Sequence, residues 1–129
     1  MSAIHDLGSK QTGCEWLIDA AGCCPHRLAD LTLLRGLLES VIADLGLHPI
    51  RPGAWHSFPA PGGVTGMYLL SESHLTLHTW PEHGAAVFNL FCCRPRPDWP
   101  WATKLRETLQ AKHVEVRIVD RGARMEARP

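Results

Sequence analysis

The stretch Val64–Cys93, VTGMYLLSESHLTLHTWPEHGAAVFNLFCC, decides how this chain folds. Val64 to Leu70 and Leu75 to Trp80 are short apolar-rich runs carrying branched and aromatic residues, the composition of strands in a sheet. Pro81-Glu82-His83-Gly84 is a turn, after which Ala85 to Cys93 returns as another strand. Short hairpin-like connections join neighbours that run antiparallel. The centre of the molecule is therefore expected to be an antiparallel meander.

The flanks extend that sheet and cover it. On the N-terminal side, Pro59 to Gly63 (PAPGG) is a loop rich in breakers, and His48 to Phe58 is a strand interrupted at Pro52-Gly53. From His26 to Leu45 the residues Leu31, Leu34, Leu37, Leu38, Val41 and Leu45 recur at three and four, one face of a helix, and Gly46 stands where a helix stops. Trp16-Leu17-Ile18 reads as a first strand, with a turn at Ala21-Gly22 and a loose leader over residues 1–12. On the C-terminal side, Arg94 to Pro97 (RPRP) punctuates the chain, and Asp98 and Pro100 open a second helix with Trp101, Leu105 and Leu109 on one face. Val114, Val116 and Ile118 alternate with Glu115 and Arg117 in a closing strand, and the tail after Asp120 is polar. The expected class is α/β of the α+β kind: a mainly antiparallel sheet with two helices on one face, the other face left for a partner or a site.

Length and composition set the outer limits. The 129 residues make one domain, 1–129, with a real but small core that a second subunit would help to cover. Thirteen basic residues balance 13 acidic ones, so neither nucleic acid nor a membrane surface is an expected partner. No apolar run reaches the length of a membrane span, and the first residues lack a signal peptide's apolar stretch. Five cysteines in and around two adjacent pairs suit buried or reactive thiols in the cytoplasm better than disulfides.

Chemistry-bearing residues concentrate between Leu70 and Cys93: hydroxyls, three histidines, two carboxylates and two thiols. His74 and His78 would share an ion on a helix, but on a strand they stand roughly 13 Å apart, so a metal is not expected. Ser73 with a histidine and a carboxylate offers the parts of a hydrolytic triad, yet no GxSxG elbow is present. Any single histidine here is equally accounted for as a half-buried sheet residue.

Taken whole, Ser-Glu-Ser-His followed by Leu-Thr-Leu-His-Thr-Trp-Pro-Glu closely resembles the self-processing motif of prokaryotic S-adenosylmethionine decarboxylases. The resemblance runs back through Gly63-Val64-Thr65-Gly66 and on to Phe91-Cys92-Cys93, and in looser pattern spans about residues 13 to 120. It implies a two-layer α/β sandwich and cleavage between Glu72 and Ser73 into chains 1–72 and 73–129. Ser73 would become a pyruvoyl group, a built-in cofactor that condenses with a substrate amine and needs neither pyridoxal phosphate nor metal. None of the three lysines (Lys10, Lys104, Lys112) lies in the motif, which agrees with that. By the same resemblance His78 and Thr65 assist processing, and Cys93 returns a proton to the substrate. Glu82 grips a ribose, while Phe58, with Trp55 second, stacks on adenine.

S-adenosylmethionine is the substrate the family implies, for spermidine synthesis, in a homodimer of processed protomers with shared sites. Two departures bear on the substrate: Asn89 stands where relatives commonly carry aspartate, and Cys14-Glu15-Trp16 where many have Gly-Arg-His. The alternatives are the same chemistry on arginine or ornithine, with Glu15, Glu82 or Asp19 taking a distal cation, and an unprocessed regulatory or binding homologue.

Overall fold

The structure, a computed structural model, describes residues 13–122. The expected leader over residues 1–12 lies outside the described residues, as does the polar tail beyond Gly122. The elements run β1 (Gly13–Ala21), α1 (Pro25–Leu28), α2 (Leu31–Asp44), β2 (Ala54–Ser57), β3 (Val64–Leu70), β4 (Ser73–Trp80), a 3-10 turn (Pro81–His83), β5 (Ala85–Cys92), α3 (Trp101–Leu109) and β6 (His113–Arg121). They build one sheet in the order β2-β3-β4-β5-β1-β6, with every neighbouring pair antiparallel. The central meander is the one the Val64–Cys93 segment predicts.

Alternation assigns each strand residue to a face. Cys14, Trp16, Ile18 and Ala20 of β1, Leu75 and Leu77 of β4, and Ala86, Phe88, Leu90 and Cys92 of β5 are buried on one side. There they meet Leu34, Leu37, Leu38, Val41 and Ile42 of α2 and Trp101, Leu105 and Leu109 of α3 in a single apolar cluster. Phe88 and Trp101 bring their rings to 5.5 Å, which fixes α3 on the same side of the sheet as α2. No helix covers the opposite face, and this leaves Met67 and Leu69 more than half exposed, at 51% and 54%.

Three expectations need correction. The helix expected from His26 to Leu45 is two segments, because Asp30 is extended and its carboxylate accepts from Leu33 N at 3.1 Å, capping α2 from inside the predicted span. The strand expected across His48–Phe58 shrinks to Ala54–Ser57, preceded only by a bridge from Pro49 to Leu70; Pro52 has no N–H to give a ladder. Strand β4 starts at Ser73, two residues before the expected Leu75, so the β3–β4 hairpin turns on Ser71 and Glu72 alone. Gly46 does end α2, with φ +64° just past the Leu45 cap.

Candidate active site

The chemistry-bearing residues gather at two ends of β4. At the hairpin end, Leu70 pairs with Ser73, so the Glu72–Ser73 peptide sits at the junction of turn and strand. The Glu72 carbonyl accepts the Cys93 N–H at 2.9 Å, just past the end of β5. Its carboxylate is ion-paired with Arg94. Ser73 is also in register with Cys92 across β4 and β5 on the helix-covered side. The two neighbouring thiols part company as strand alternation requires: Cys92 is buried and Cys93 exposed.

At the other end, on the uncovered face, Thr65 of β3 pairs with His78 of β4, and Thr65 Oγ1 lies 3.1 Å from His78 Nδ1. These two line a cavity of about 340 Å3 together with Phe58, Pro61, Gly63 and Glu82. Thr79 anchors the floor beneath: its buried hydroxyl donates to Leu28 O at 2.7 Å and accepts from Val64 N at 2.9 Å. Gly63 is held close by the same strand, since a Cβ there would stand 2.7 Å from Thr79 O. Glu82 engages no partner among the described residues and projects its carboxylate from the exposed turn after Pro81.

The structure therefore joins Thr65, His78, Glu82 and Phe58 in one cluster, and Glu72, Ser73 and Cys93 in another. Five strand steps separate Ser73 from His78, roughly 16 Å. Trp55 belongs to neither: it is in register with Gly66 on the helix side, packed 6.0 Å from Tyr68 with Arg35 over its ring.

Electrostatics narrows the roles. Burial pushes the Cys92 and Cys14 thiols up to about 11, so both stay protonated at neutral pH and neither is a base. The Asn89 amide holds the Glu15 carboxyl below its ordinary value, with Arg121 adding to the effect. Asn89 also meets His74 Nε2 at 3.1 Å, and His74 stacks on Phe91. This polar chain across the uncovered face went unread in the sequence, where Asn89 showed only as a departure from a pattern. Asp19 lies 3.6 Å from Arg117. Of the carboxylates weighed for a substrate cation, Glu15 and Asp19 are thus already committed to partners of their own.

Among the described residues no three His, Cys, Asp or Glu side chains converge on a point that could hold a metal ion, and no helix is long and apolar enough to cross a membrane.

Comparison with known proteins adds a family. The family model described as S-adenosylmethionine decarboxylase matches residues 14–122. The S-adenosylmethionine decarboxylase proenzyme of Pelotomaculum thermopropionicum is 33% identical over 114 residues, 88% of this chain and 89% of that one. The proenzyme of the same name from Caldicellulosiruptor saccharolyticus is 40% identical over 92 residues, 68% of this chain and 73% of that one. Among solved structures, the adenosylmethionine decarboxylase of Aquifex aeolicus superposes with a TM-score of 0.71 at 28% identity, covering 88% of this chain and 93% of that one.

Proposed function

We propose that this chain, which belongs to the S-adenosylmethionine decarboxylase family, is a proenzyme that cuts itself between Glu72 and Ser73 and then decarboxylates S-adenosylmethionine. The observation that carries this reading is the Glu72 carbonyl, held at a hairpin tip by the Cys93 N–H at 2.9 Å. The peptide stands where turn meets strand, Ser73 being the first residue of β4 and paired with Leu70 and Cys92. A backbone donor already on the carbonyl oxygen is where charge develops when that carbonyl is attacked.

The steps follow from the residues present. Ser73 Oγ attacks the Glu72 carbonyl carbon, the C–N bond breaks, and the hydroxyl proton ends on the freed amine of residue 73, leaving an ester. Loss of the residue 73 Cα proton then expels the Glu72 carboxylate. The dehydroalanine left behind takes up water and releases ammonia, and a pyruvoyl group remains at residue 73. That group supplies an electron sink for decarboxylation of a bound amine substrate. The exposed Cys93 thiol, one residue from the buried Cys92, is the proton donor beside it.

His78 and Thr65 complete the site from a second copy. They stand a strand's length from Ser73 in their own chain, roughly 16 Å away. The uncovered sheet face carries Met67, Leu69 and Val119 exposed, and Leu17, Val87 and Phe91 half-buried, an apolar surface suited to a like face. A two-fold axis between two such sheets, crossing β4 near its middle, inverts the strands. It sets Glu72, Ser73 and Cys93 of one protomer against the partner subunit's Thr65, His78, Phe58 and Glu82. In that homodimer the Thr65–His78 pair serves the proton removal, Phe58 offers its ring to adenine, and the uncommitted Glu82 meets the ribose diol.

With Glu15 and Asp19 committed, Glu82 is the one of the three carboxylates still open, to a ribose diol or to a distal cation. The product, decarboxylated S-adenosylmethionine, is an aminopropyl donor for spermidine synthesis, and the five free thiols suit a cytoplasmic, reducing setting. Reductive trapping tests the function. Cyanoborohydride added with S-adenosylmethionine is expected to fix the substrate covalently to residue 73 and abolish carbon dioxide release, whereas labelling at any other residue would sink the proposal.

A further inference from the structure

The polar chain across the uncovered sheet face ends on the residue next to Ser73. His74 is in register with Phe91 of β5, and Phe91 with Glu15 of β1, so the three form one row across the sheet. The His74 ring stacks on Phe91, with centroids 5.6 Å apart and planes 13° from parallel. His74 Nε2 stands 3.1 Å from Asn89 Oδ1, two residues back along β5. The Asn89 amide in turn donates to the half-buried Glu15 carboxylate, and Arg121 of β6 engages the same carboxylate. A carboxylate only accepts, so the amide turns its NH2 to Glu15 and its oxygen to His74. His74 Nε2 is therefore the nitrogen that carries the proton, and Nδ1 is bare in the neutral ring.

Self-cleavage changes what holds this end of β4. Residue 73 loses its bond to Glu72 and its nitrogen leaves as ammonia, so it keeps a carbonyl but no N–H for the ladder. His74 becomes the first residue with both backbone groups, and the pyruvoyl group hangs from its nitrogen. The placement of that group is then set by how firmly His74 is held, and misplacing a reacting group by about 1 Å can cost roughly a hundredfold in rate. We propose that His74 and Asn89 are positioning residues for the decarboxylation: the Asn89 amide holds the His74 ring on Phe91, and the ring so held fixes the pyruvoyl group. The inference rests on the self-cleavage reading and concerns the step after it. No bond or proton moves at His74 or Asn89.

The test takes the purified full chain as wild type, Asn89→Leu, His74→Phe, and the swapped pair Glu15→Gln with Asn89→Asp. In the swapped pair the new amide at position 15 donates to the new carboxylate at 89, which still accepts from His74 Nε2. Splitting, followed by intact mass, is expected to proceed in every variant as in wild type. Turnover of S-adenosylmethionine per pyruvoyl-bearing chain, read as carbon dioxide release, is expected to fall roughly tenfold or more in Asn89→Leu and His74→Phe, with KM little changed. The swapped pair is expected to recover most of the lost kcat, which a role in packing alone would not give. Nitrogen-15 spectra of wild type at about pH 8, where an ordinary imidazole is neutral, are expected to show the His74 proton on Nε2. Unchanged kcat in both single variants, a swapped pair no better than Asn89→Leu, or a His74 proton on Nδ1 each overturns this inference and leaves self-cleavage standing. Single variants that stay uncut beside a wild type that splits overturn it too, since the link would then act before the cut. Wild type that never splits overturns the self-cleavage reading and this one with it.

Discussion

Replacing Thr79 by valine removes one hydroxyl and tests how the cavity floor is held. Thr79 is 5% exposed, and its hydroxyl donates to Leu28 O at 2.7 Å and accepts from Val64 N at 2.9 Å. Valine keeps the shape, so packing changes little and the cost is that of two buried backbone groups left unpaired. At roughly 1–3 kcal/mol for each such group, with partial relaxation, the expected loss is about 2–4 kcal/mol. Thr79→Ser is the control: it keeps both hydrogen bonds and loses one methyl, at about 1 kcal/mol. Urea unfolding should be followed in a Ser73→Ala background, so that every variant is a single uncut chain, at one protomer concentration. The expected result is a midpoint for Thr79→Val well below that of Thr79→Ser, with the slope unchanged. A valine variant as stable as the serine one would refute the hydrogen-bonding account of this tie between α1 and β3.

Two further outcomes follow from other parts of the structure. Glu15 has its carboxyl held below the ordinary value of 4.5, chiefly by the Asn89 amide. Its folded pKa being the lower one, Glu15 stabilises the fold above the unfolded value and loses that contribution as pH falls through the folded value. The stability gap between wild type and Glu15→Gln, read from urea midpoints, should therefore be full at neutral pH and close as pH falls below the ordinary carboxyl value; a gap that widens in acid would contradict it. Phe58, 51% exposed at the cavity rim, and Trp55, on the other face of the sheet, should separate cleanly. Phe58→Leu is expected to raise KM roughly three- to tenfold for S-adenosylmethionine with little change in Tm, the size of one lost aromatic stack. Trp55→Leu should lower Tm and spare KM, as measured by carbon dioxide release and thermal melting.

The sheet was legible in the sequence where burial imposes alternation. Strand β3 runs from Val64 to Leu70 as the pattern indicates, because every second residue there is buried against the helices. The edges were less so. On β6 the alternation of Val114, Val116 and Ile118 is real, yet Val116 and Ile118 are each 39% exposed, since an edge strand has a neighbour on one side only. The break between α1 and α2 was hidden by leucines whose spacing continues across it, although Asp30 was available as a cap signal.

The site divides along the same line. A contiguous motif marked the residues expected to carry the chemistry, and the structure sets two of them, Thr65 and His78, 3.1 Å apart. Distance along a strand is equally fixed by sequence, yet its consequence, that Ser73 and His78 belong to different ends, emerges only once β4 is seen to be regular from Ser73 to Trp80. Trp55 and Phe58 lie three residues apart with β2 ending between them, and nothing in WHSF states which face each will take.

The central claim is that this chain makes its own cofactor at Ser73, and intact mass spectrometry of the purified protein beside a Ser73→Ala control tests it most directly. The account predicts two chains, 1–72 ending in Glu72 and 73–129 blocked at its N-terminus by a pyruvoyl group, with the control uncut. Wild type recovered as one chain of 129 residues, or cut equally in the control, would contradict it.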